Sequence, residues 1–175
     1  LPRRPPAGAP VKAPPRWLRR TPLVREPLRR AAKRLAPAGP VRVEVEGILL
    51  DLAPADNKVD FDIWYKDRLE EAAERAFLAA HLSPGEWFAD VGANIGLYTL
   101  SLLSRVPEAR ALAFEPLTRL RERLDHNLAL NGLADRAVVR AEAVGPTGAL
   151  TLFESRNAGR SSLIPSDGAR PGDTV

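Results

Sequence analysis

The 175-residue chain predicts an α/β fold, in which short parallel strands alternate with longer helices. The prediction depends on three apolar runs, at residues 87–91, 111–114 and 137–144, and on the helical patterns that lie between them. Apolar residues make up 45% of the chain, which is enough to bury the core of one domain. An alternation of this kind is typical of a parallel sheet whose crossover helices cover its faces.

The first 40 residues differ in composition from the rest. They contain eleven Lys or Arg residues against the single Glu26, a net charge of +10, which leaves −6 for the remainder of a chain that carries +4 overall. They also contain ten of the seventeen prolines. We therefore expect residues 1–40 to be a disordered, basic, proline-rich leader.

Within that leader, only residues 26–35 have the composition of a short helix, with Pro27 in its first turn. Four apolar side chains would share one face of this helix: Leu28, Ala31, Ala32 and Leu35. A basic amphipathic segment of this kind would allow weak contact of residues 1–40 with an anionic membrane surface or with nucleic acid. A solvated basic leader is the simpler interpretation of the same composition.

Residues 41–175 form the second predicted region, which we expect to be a partial domain. Residues 41–52 first alternate apolar and charged side chains and then become apolar, which predicts a strand or a hairpin with Gly47 at its turn or bulge. Residues 53–60 are predicted to be a loop.

The next predicted helix covers residues 67–82 and leads into the central strand. Its apolar residues recur at helical spacing and are expected to face the core: Leu69, Ala73, Ala76, Phe77 and Ala80. Its charged residues are expected to face water: Glu70, Glu71, Glu74 and Arg75. Trp64 and Tyr65 lie just before this helix, and we expect them to pack in the core rather than to face a substrate.

A further helix is predicted from Pro116 to Leu130, closed by the cap residues Asn131 and Gly132. Four leucines are expected to face the sheet: Leu117, Leu120, Leu124 and Leu128. Asn127 lies near the cap, and we expect it to act there rather than to contact a ligand. Residues 149–154 predict an additional strand, which residues 161–164 could join as a hairpin.

The chain is organised around residues 87–103, where an apolar strand ends, a turn with two glycines follows and a helix begins. Gly92 and Gly96 would let the backbone approach a ligand closely. We also expect free N–H groups of a helix that starts near Ile95 to point into the same space. The sequence therefore predicts a ligand-binding turn after this strand.

The acid near the end of that strand indicates which ligand the turn would bind. The Asp90 carboxylate would repel the pyrophosphate of a dinucleotide and would attract the sulfonium and ammonium groups of S-adenosylmethionine. Glu115 ends the next strand 23 residues after Gly92, close to the spacing of about 20 residues at which a carboxylate meets ribose hydroxyls. Both cofactors contain ribose, so Glu115 does not decide between them.

Four segments follow one another in a specific order: residues 88–100 (FADVGANIGLYTL), 113–116 (AFEP), 127–132 (NLALNG) and 141–145 (AEAVG). In this order the chain resembles the FkbM family of S-adenosylmethionine-dependent methyltransferases, over roughly residues 65–164. The resemblance implies a Rossmann-like class I methyltransferase fold, a three-layer αβα sandwich with strands ordered 3-2-1-4-5-7-6.

The same resemblance implies where the cofactor binds. Glu142 occupies the position whose acid accepts from the adenine amino group, with a plain salt bridge as the alternative role. The full set of implied cofactor-binding residues is Asp90, Gly92, Ala93, Asn94, Gly96, Glu115, Pro116, Glu142 and Ala143. The family's fourth strand carries a Lys-x-Asp-x-Glu-Gly run that has no counterpart here. We therefore expect a truncated chain, incomplete at its C-terminus, with one edge of the central strand exposed.

Family members methylate oxygen in sugars, polyketides and related natural products, so the resemblance implies a small-molecule or glycan acceptor. No residue is identified as a catalytic base, because His81 and His126 fall on helical segments where an ordinary surface or core role is expected. The chain has no cysteine and only these two histidines, so we expect no disulfide and no metal site. It shows no secretory signal and no long apolar span, and we expect a cytoplasmic location.

Two other functions stay open at this point. One is an NAD-type Rossmann oxidoreductase, which Asp90 and the presence of Asn94 in place of a fingerprint glycine both disfavour. The other is a non-catalytic binding module whose basic leader contacts a membrane or nucleic acid.

Overall fold

The computed structural model describes residues 25–56, 58–145, 151–154 and 170–174, and the chain separates into two compact units at the boundary between Glu70 and Glu71. Most of the basic leader, residues 1–24, lies outside the described residues, so its disorder stays a prediction. No helix in the described ranges is long and apolar enough to cross a membrane.

The first unit contains two helices and a hairpin. Its elements are helix α1 (Arg25–Arg34), strands β1 (Val41–Val45) and β2 (Ile48–Leu52), and helix α2 (Lys58–Lys66). β1 and β2 pair antiparallel with Val45 opposite Ile48, and Gly47 has a φ of 78° at the turn between them. Of the two alternatives for residues 41–52, the hairpin is the one present, and the short helix expected at residues 26–35 is found at Arg25–Arg34.

The segment after the hairpin differs from its prediction as a loop, because α2 already begins at Lys58. Trp64 and Tyr65 are part of α2 and are buried, which confirms their core role. Asp60 is a polar residue of the predicted loop, but it is fully buried. Its Oδ2 accepts a hydrogen bond from the Ala53 N–H at 2.7 Å. The carboxylate thus satisfies a backbone donor where the chain leaves β2.

The second unit is built on a three-stranded parallel sheet. Its strands are β3 (Trp87–Val91), β4 (Arg110–Phe114) and β5 (Ala137–Arg140), in the spatial order β5-β4-β3. Trp87 is paired with Arg110, and Ala111 with Ala137. This arrangement confirms the predicted order 3-2-1 and places β3 at the sheet edge within the described residues. The third strand ends four residues before its predicted end at residue 144.

Helices follow the first two strands and cover one face of the sheet. Helix α4 (Leu97–Arg105) connects β3 to β4, and helix α5 (Thr118–Leu130) with a 3₁₀ turn (Ala134–Arg136) connects β4 to β5. All four predicted leucines of the α5 segment are buried, and Gly132 has a φ of 66° at the predicted cap. The covered face carries Phe88, Asp90 and Ala113, because side chains alternate across a strand.

Helix α3 (Ala72–His81) precedes the sheet and contradicts the predicted orientation of its faces. Arg75, expected in water, is fully buried, and its Nη1 donates to the buried Ser101 Oγ of α4 at 2.7 Å. Phe77, expected in the core, is 61% exposed and packs its ring on His81 of the same helix. The helix therefore packs on α4 through a polar contact, which apolar periodicity cannot predict.

Strands β6 (Thr151–Glu154) and β7 (Arg170–Thr174) form a separate antiparallel pair. The strand predicted at residues 149–154 is confirmed for residues 151–154. Residues 161–164, predicted as its partner, lie outside the described residues, and the structure pairs β6 with β7.

Candidate functional site

The candidate site lies at the carboxyl edge of the sheet, where β3 and β4 end side by side. We call residues 92–96 the glycine turn. Three of its residues have left-handed backbone conformations: Gly92 at φ 78°, Asn94 at φ 54° and Gly96 at φ 92°. Glycine adopts this conformation freely and asparagine tolerates it better than most residues, so the sequence is suited to the shape of the turn.

Every amide of the glycine turn is bonded inside the protein. The N–H groups of Gly92 and Ala93 both donate to the Phe114 carbonyl at 2.9 Å, and the Gly96 N–H donates to the Ala93 carbonyl at 2.8 Å. The Asn94 and Ile95 N–H groups donate to carboxylate and amide side-chain oxygens at 2.8 and 2.9 Å. The Ile95 N–H therefore has an acceptor, and the helix whose free N–H groups we expect starts later than Ile95. Helix α4 begins two residues later, at Leu97.

This bonding pattern bears on the choice of ligand. A dinucleotide site needs amide donors of the turn for the pyrophosphate, whereas here the five amides of residues 92–96 already have acceptors. The glycine turn therefore has no unbonded amide with which to bind an anion, and two carboxylates, Asp90 and Glu115, lie beside it.

Asp90 connects the end of β3 to the start of α4. Its Oδ2 accepts from the Thr99 N–H at 3.1 Å and from the Thr99 Oγ1 at 2.5 Å, which satisfies one of the open donors of the helix start. Burial raises the pKa of the Asp90 carboxyl, and the two bonds from Thr99 oppose that rise. The predicted cofactor acid is therefore also the anchor of α4.

Glu115 is buried and connects the glycine turn to the segment that follows β4. Its Oε2 accepts from the Asn94 N–H at 2.8 Å, and its Oε1 accepts from the Leu117 N–H at 2.9 Å. The carboxylate therefore fixes the glycine turn relative to the end of β4. The neighbouring Pro116 carbonyl accepts from Arg121 at 3.1 Å, which fixes the entry to α5.

Glu142 and Ala143 follow the end of β5 and lie apart from these contacts. Glu142 is exposed, and both of its carboxylate oxygens accept from the Arg140 guanidinium, at 2.5 and 3.2 Å. The hydrogen bond from Arg140 lowers the pKa of Glu142. The ion pair that was the alternative role of Glu142 is present in the structure.

The glycine turn makes two contacts with α5 that the sequence analysis did not predict. A Cβ at Gly96 would lie 2.5 Å from the Leu124 Cδ1, so the close approach that this glycine permits is to α5. Asn127 is fully buried and its Nδ2 donates to the Ile95 carbonyl at 3.0 Å. Its place inside the NLALNG segment was the available signal, but the nearby helix cap offered a sufficient local explanation.

The described residues contain no group of three or more His, Asp or Glu side chains that could hold a metal ion. The expectation of a site without metal stays a prediction.

Comparisons with known proteins also indicate similarity to a methyltransferase. No protein-family model matches the chain. The chain is 32% identical over 115 residues to methyltransferase sdnD of Sordaria araneosa, which covers 65% of this chain and 43% of sdnD. It is 55% identical over 47 residues to the AMB antimetabolite synthetase AmbE of Pseudomonas aeruginosa, which covers 27% of this chain and 2% of AmbE. The chain thus spans less than half the length of either relative.

Among solved structures, Pyrococcus horikoshii TYW2 in complex with MeSAdo matches with a TM-score of 0.50 and 19% identity, over 70% of this chain and 50% of that chain. A likeness at this identity concerns the fold. The sheet order and these similarities define the fold: the chain has the Rossmann-like, class I fold that S-adenosylmethionine-dependent methyltransferases share. S-adenosylmethionine is the cofactor of that class.

Proposed function

We propose that the protein to which this chain belongs transfers the methyl group of S-adenosylmethionine to a hydroxyl oxygen of a sugar, polyketide or other natural product. The observation that carries the cofactor part is the glycine turn, whose five amides are bonded internally while two carboxylates, Asp90 and Glu115, lie beside it. A cationic cofactor suits this arrangement, and a pyrophosphate does not.

The proposed roles of the site residues follow from their positions. Gly92 is exposed, and a Cβ there would meet no atom within 4 Å, so this glycine leaves room for the cofactor above the turn. Glu115 would accept from ribose hydroxyls, since each carboxylate oxygen has two lone pairs and each has one protein donor here. Glu142 would accept from the adenine amino group after leaving Arg140. Ala93, Asn94, Gly96, Pro116 and Ala143 would shape the pocket.

The transfer itself needs little from the protein beyond alignment. A methyl group on a sulfonium is displaced in line by the acceptor oxygen, and a base must remove the hydroxyl proton. In this reaction the glycine turn, Asp90 and Glu115 would bind and orient the cofactor. The proposal for the acceptor is supported by the resemblance to the FkbM family and by the likeness of a 47-residue segment to an antimetabolite synthetase.

Cofactor binding is tested by calorimetric titration of S-adenosylhomocysteine into the full chain, with NAD as the competing ligand. We expect S-adenosylhomocysteine to bind and NAD not to compete. Glu115→Gln should weaken binding by roughly tenfold, because a ribose hydroxyl loses a charged acceptor. Glu122→Gln changes an exposed glutamate of α5 and should have no effect. Binding of NAD by folded protein, with no heat from S-adenosylhomocysteine, would overturn the proposal.

The acceptor is tested separately, by incubating the protein and S-adenosylmethionine with sugar and polyketide hydroxyl compounds and following the mass of the products. Contact of residues 1–40 with an anionic membrane or nucleic acid, and the cytoplasmic location, stay predictions. The first of these would show as binding that weakens steeply with salt and disappears when residues 1–40 are removed.

A further inference from the structure

A carboxylate that the sequence motifs do not include is hydrogen-bonded to the helix that follows the glycine turn. Glu71 is the residue before α3, and its Oε2 accepts from the Tyr98 hydroxyl at 2.7 Å. Tyr98 is the second residue of α4, which begins directly after Gly96. Long side chains of a helix lean toward its N-terminus, so we expect Tyr98 to hold Glu71 on the side of α4 that faces the turn.

The acids already assigned to the site accept hydrogen bonds from protein donors. Asp90 is bonded to Thr99, and Glu115 is bonded to Asn94 and Leu117. Glu71 differs from both because it is exposed. Its one contact with Tyr98 leaves acceptor capacity on a carboxylate, which can accept about four hydrogen bonds.

The backbone at Glu71 is left-handed, with φ 57° and ψ 43°. A residue with a side chain adopts this conformation at an energetic cost. The side chain makes no capping hydrogen bond to α3 in return, so helix capping does not explain it. The conformation instead directs the carboxylate to Tyr98 and the start of α4.

Tyr98 is well suited to hold this carboxylate. Partial burial, together with the hydrogen bond to Glu71, raises the pKa of Tyr98 to about 12. The phenol is therefore protonated at neutral pH and donates to an ionised partner.

We propose that Glu71 binds the ammonium group of the methionine part of S-adenosylmethionine, with Tyr98 as the positioning residue for the carboxylate. The inference rests on the proposed function, since it concerns the same cofactor. An ammonium has three donors and a full positive charge, which matches an exposed, ionised carboxylate held in one orientation by a phenol.

The test compares two ligands that differ in the amino-acid tail, whose ammonium group Glu71 would contact. S-adenosylhomocysteine carries the amino-acid tail, whereas 5′-methylthioadenosine keeps the nucleoside and lacks the tail. Glu71→Gln should weaken binding of S-adenosylhomocysteine by roughly tenfold and leave binding of methylthioadenosine within about twofold. Tyr98→Phe should give a smaller loss, again confined to S-adenosylhomocysteine.

The matched control is Glu108→Gln. Glu108 is likewise an exposed glutamate with a left-handed backbone, at φ 58°, but it precedes β4 at the opposite edge of the sheet. It should leave both affinities unchanged. Equal weakening of both ligands by Glu71→Gln would show a structural role and overturn the inference. An unchanged affinity for S-adenosylhomocysteine would overturn it too. Failure of the wild-type chain to bind either ligand would instead overturn the proposed function.

Discussion

Gly96 is the residue at which the glycine turn meets the hydrophobic core. It is buried, its φ is 92°, and the space where a Cβ would stand is filled by the Leu124 side chain. Two independent demands therefore fall on one position: a left-handed backbone and a missing side chain. Gly92 meets only the first, since no atom lies within 4 Å of its Cβ position.

Gly96→Ala should lower the free energy of unfolding by about 2–4 kcal/mol, from the left-handed backbone and from overpacking against a buried leucine. Gly132→Ala is the matched control, because Gly132 has a φ of 66° and open space around its Cβ position. It should cost about 1–2 kcal/mol. Urea denaturation followed by circular dichroism measures both. Equal losses for the two variants would show that contact with Leu124 is unimportant.

The hydroxyl of Tyr98 offers a direct measurement of its bond to Glu71. In the wild type, partial burial and the hydrogen bond to Glu71 raise the pKa of Tyr98 to about 12. Glu71→Gln removes the negative charge and should bring this pKa back toward 10. The near-ultraviolet phenolate absorbance reports it, with Tyr98→Phe identifying its share, since the chain has two tyrosines.

The raised pKa of Tyr98 also makes the stability of the fold depend on pH. A phenol whose pKa is higher in the folded state keeps its proton after the unfolded chain has lost it. Stability from this group is therefore lost as pH rises from about 10 to about 12. In Glu71→Gln this loss should be smaller. An identical alkaline stability profile in both proteins would contradict the bond.

At the scale of helices and strands, the sequence predicted what apolar periodicity and glycine determine. The three parallel strands followed from apolar runs, two of which end in Asp90 and Glu115, and their order followed from the resemblance to the FkbM family. The α5 segment followed from four leucines at helical spacing, all of them buried. The orientation of α3 did not follow, because its inward contact is the hydrogen bond from Arg75 to Ser101. A pattern of apolar residues contains no information about such a polar contact.

The same distinction holds within the site. Residue types and spacing predicted Asp90, Gly92, Gly96 and Glu115 as members of one edge of the sheet, and the structure places them where β3 and β4 end. The internal bonding of the amides could not be predicted, because it depends on the Phe114 carbonyl of a neighbouring strand. Glu71 was predicted only as a charged outer residue of a helix, because its contact with Tyr98 is 27 residues away along the chain.

Helices α1 and α2 are joined by a cluster of charges around Asp62. Its carboxylate, which is 7% exposed, accepts from Arg29 at 3.1 Å and from Lys58 at 2.5 Å, and Lys66 lies 3.8 Å away. Burial alone would raise the pKa of Asp62, but the hydrogen bonds from Lys58 and Arg29 and the charge of Lys66 outweigh it and lower the pKa below 3.8.

Because the folded state holds Asp62 ionised more strongly than the unfolded chain does, its stabilising effect is present above pH 3.8. It is lost as pH falls through the lower folded pKa. Asp62→Asn should reduce stability at neutral pH by about 1 kcal/mol, a modest value because the cationic partners are partly exposed. Its acid unfolding should also be less steep. Thermal unfolding across acid pH measures this, and the exposed Asp56→Asn should match the wild type.

At the scale of the whole molecule, the sheet of the second unit has one face that helices α4 and α5 leave uncovered. We call it the open face; it carries Trp87, Val91 and Val138, which are 55%, 60% and 44% exposed. Arg110 lies over the Trp87 ring at 5.7 Å and covers part of it. In the described residues β3 pairs on one side with β4, so its other edge adjoins this apolar surface. An apolar face beside an unpaired strand edge favours association.

We therefore expect this 175-residue chain to self-associate with rising concentration, and the open face to be the contact. The double variant Val91→Lys and Val138→Lys should shift sedimentation toward the monomer, because two charges would have to be buried in the contact. Both side chains are exposed, so the unfolding transition should change little. Leu35→Lys is the control, since Leu35 is 78% exposed and belongs to the first unit. If that variant dissociates the chain and the double variant does not, the contact lies in the first unit and the open face is not responsible.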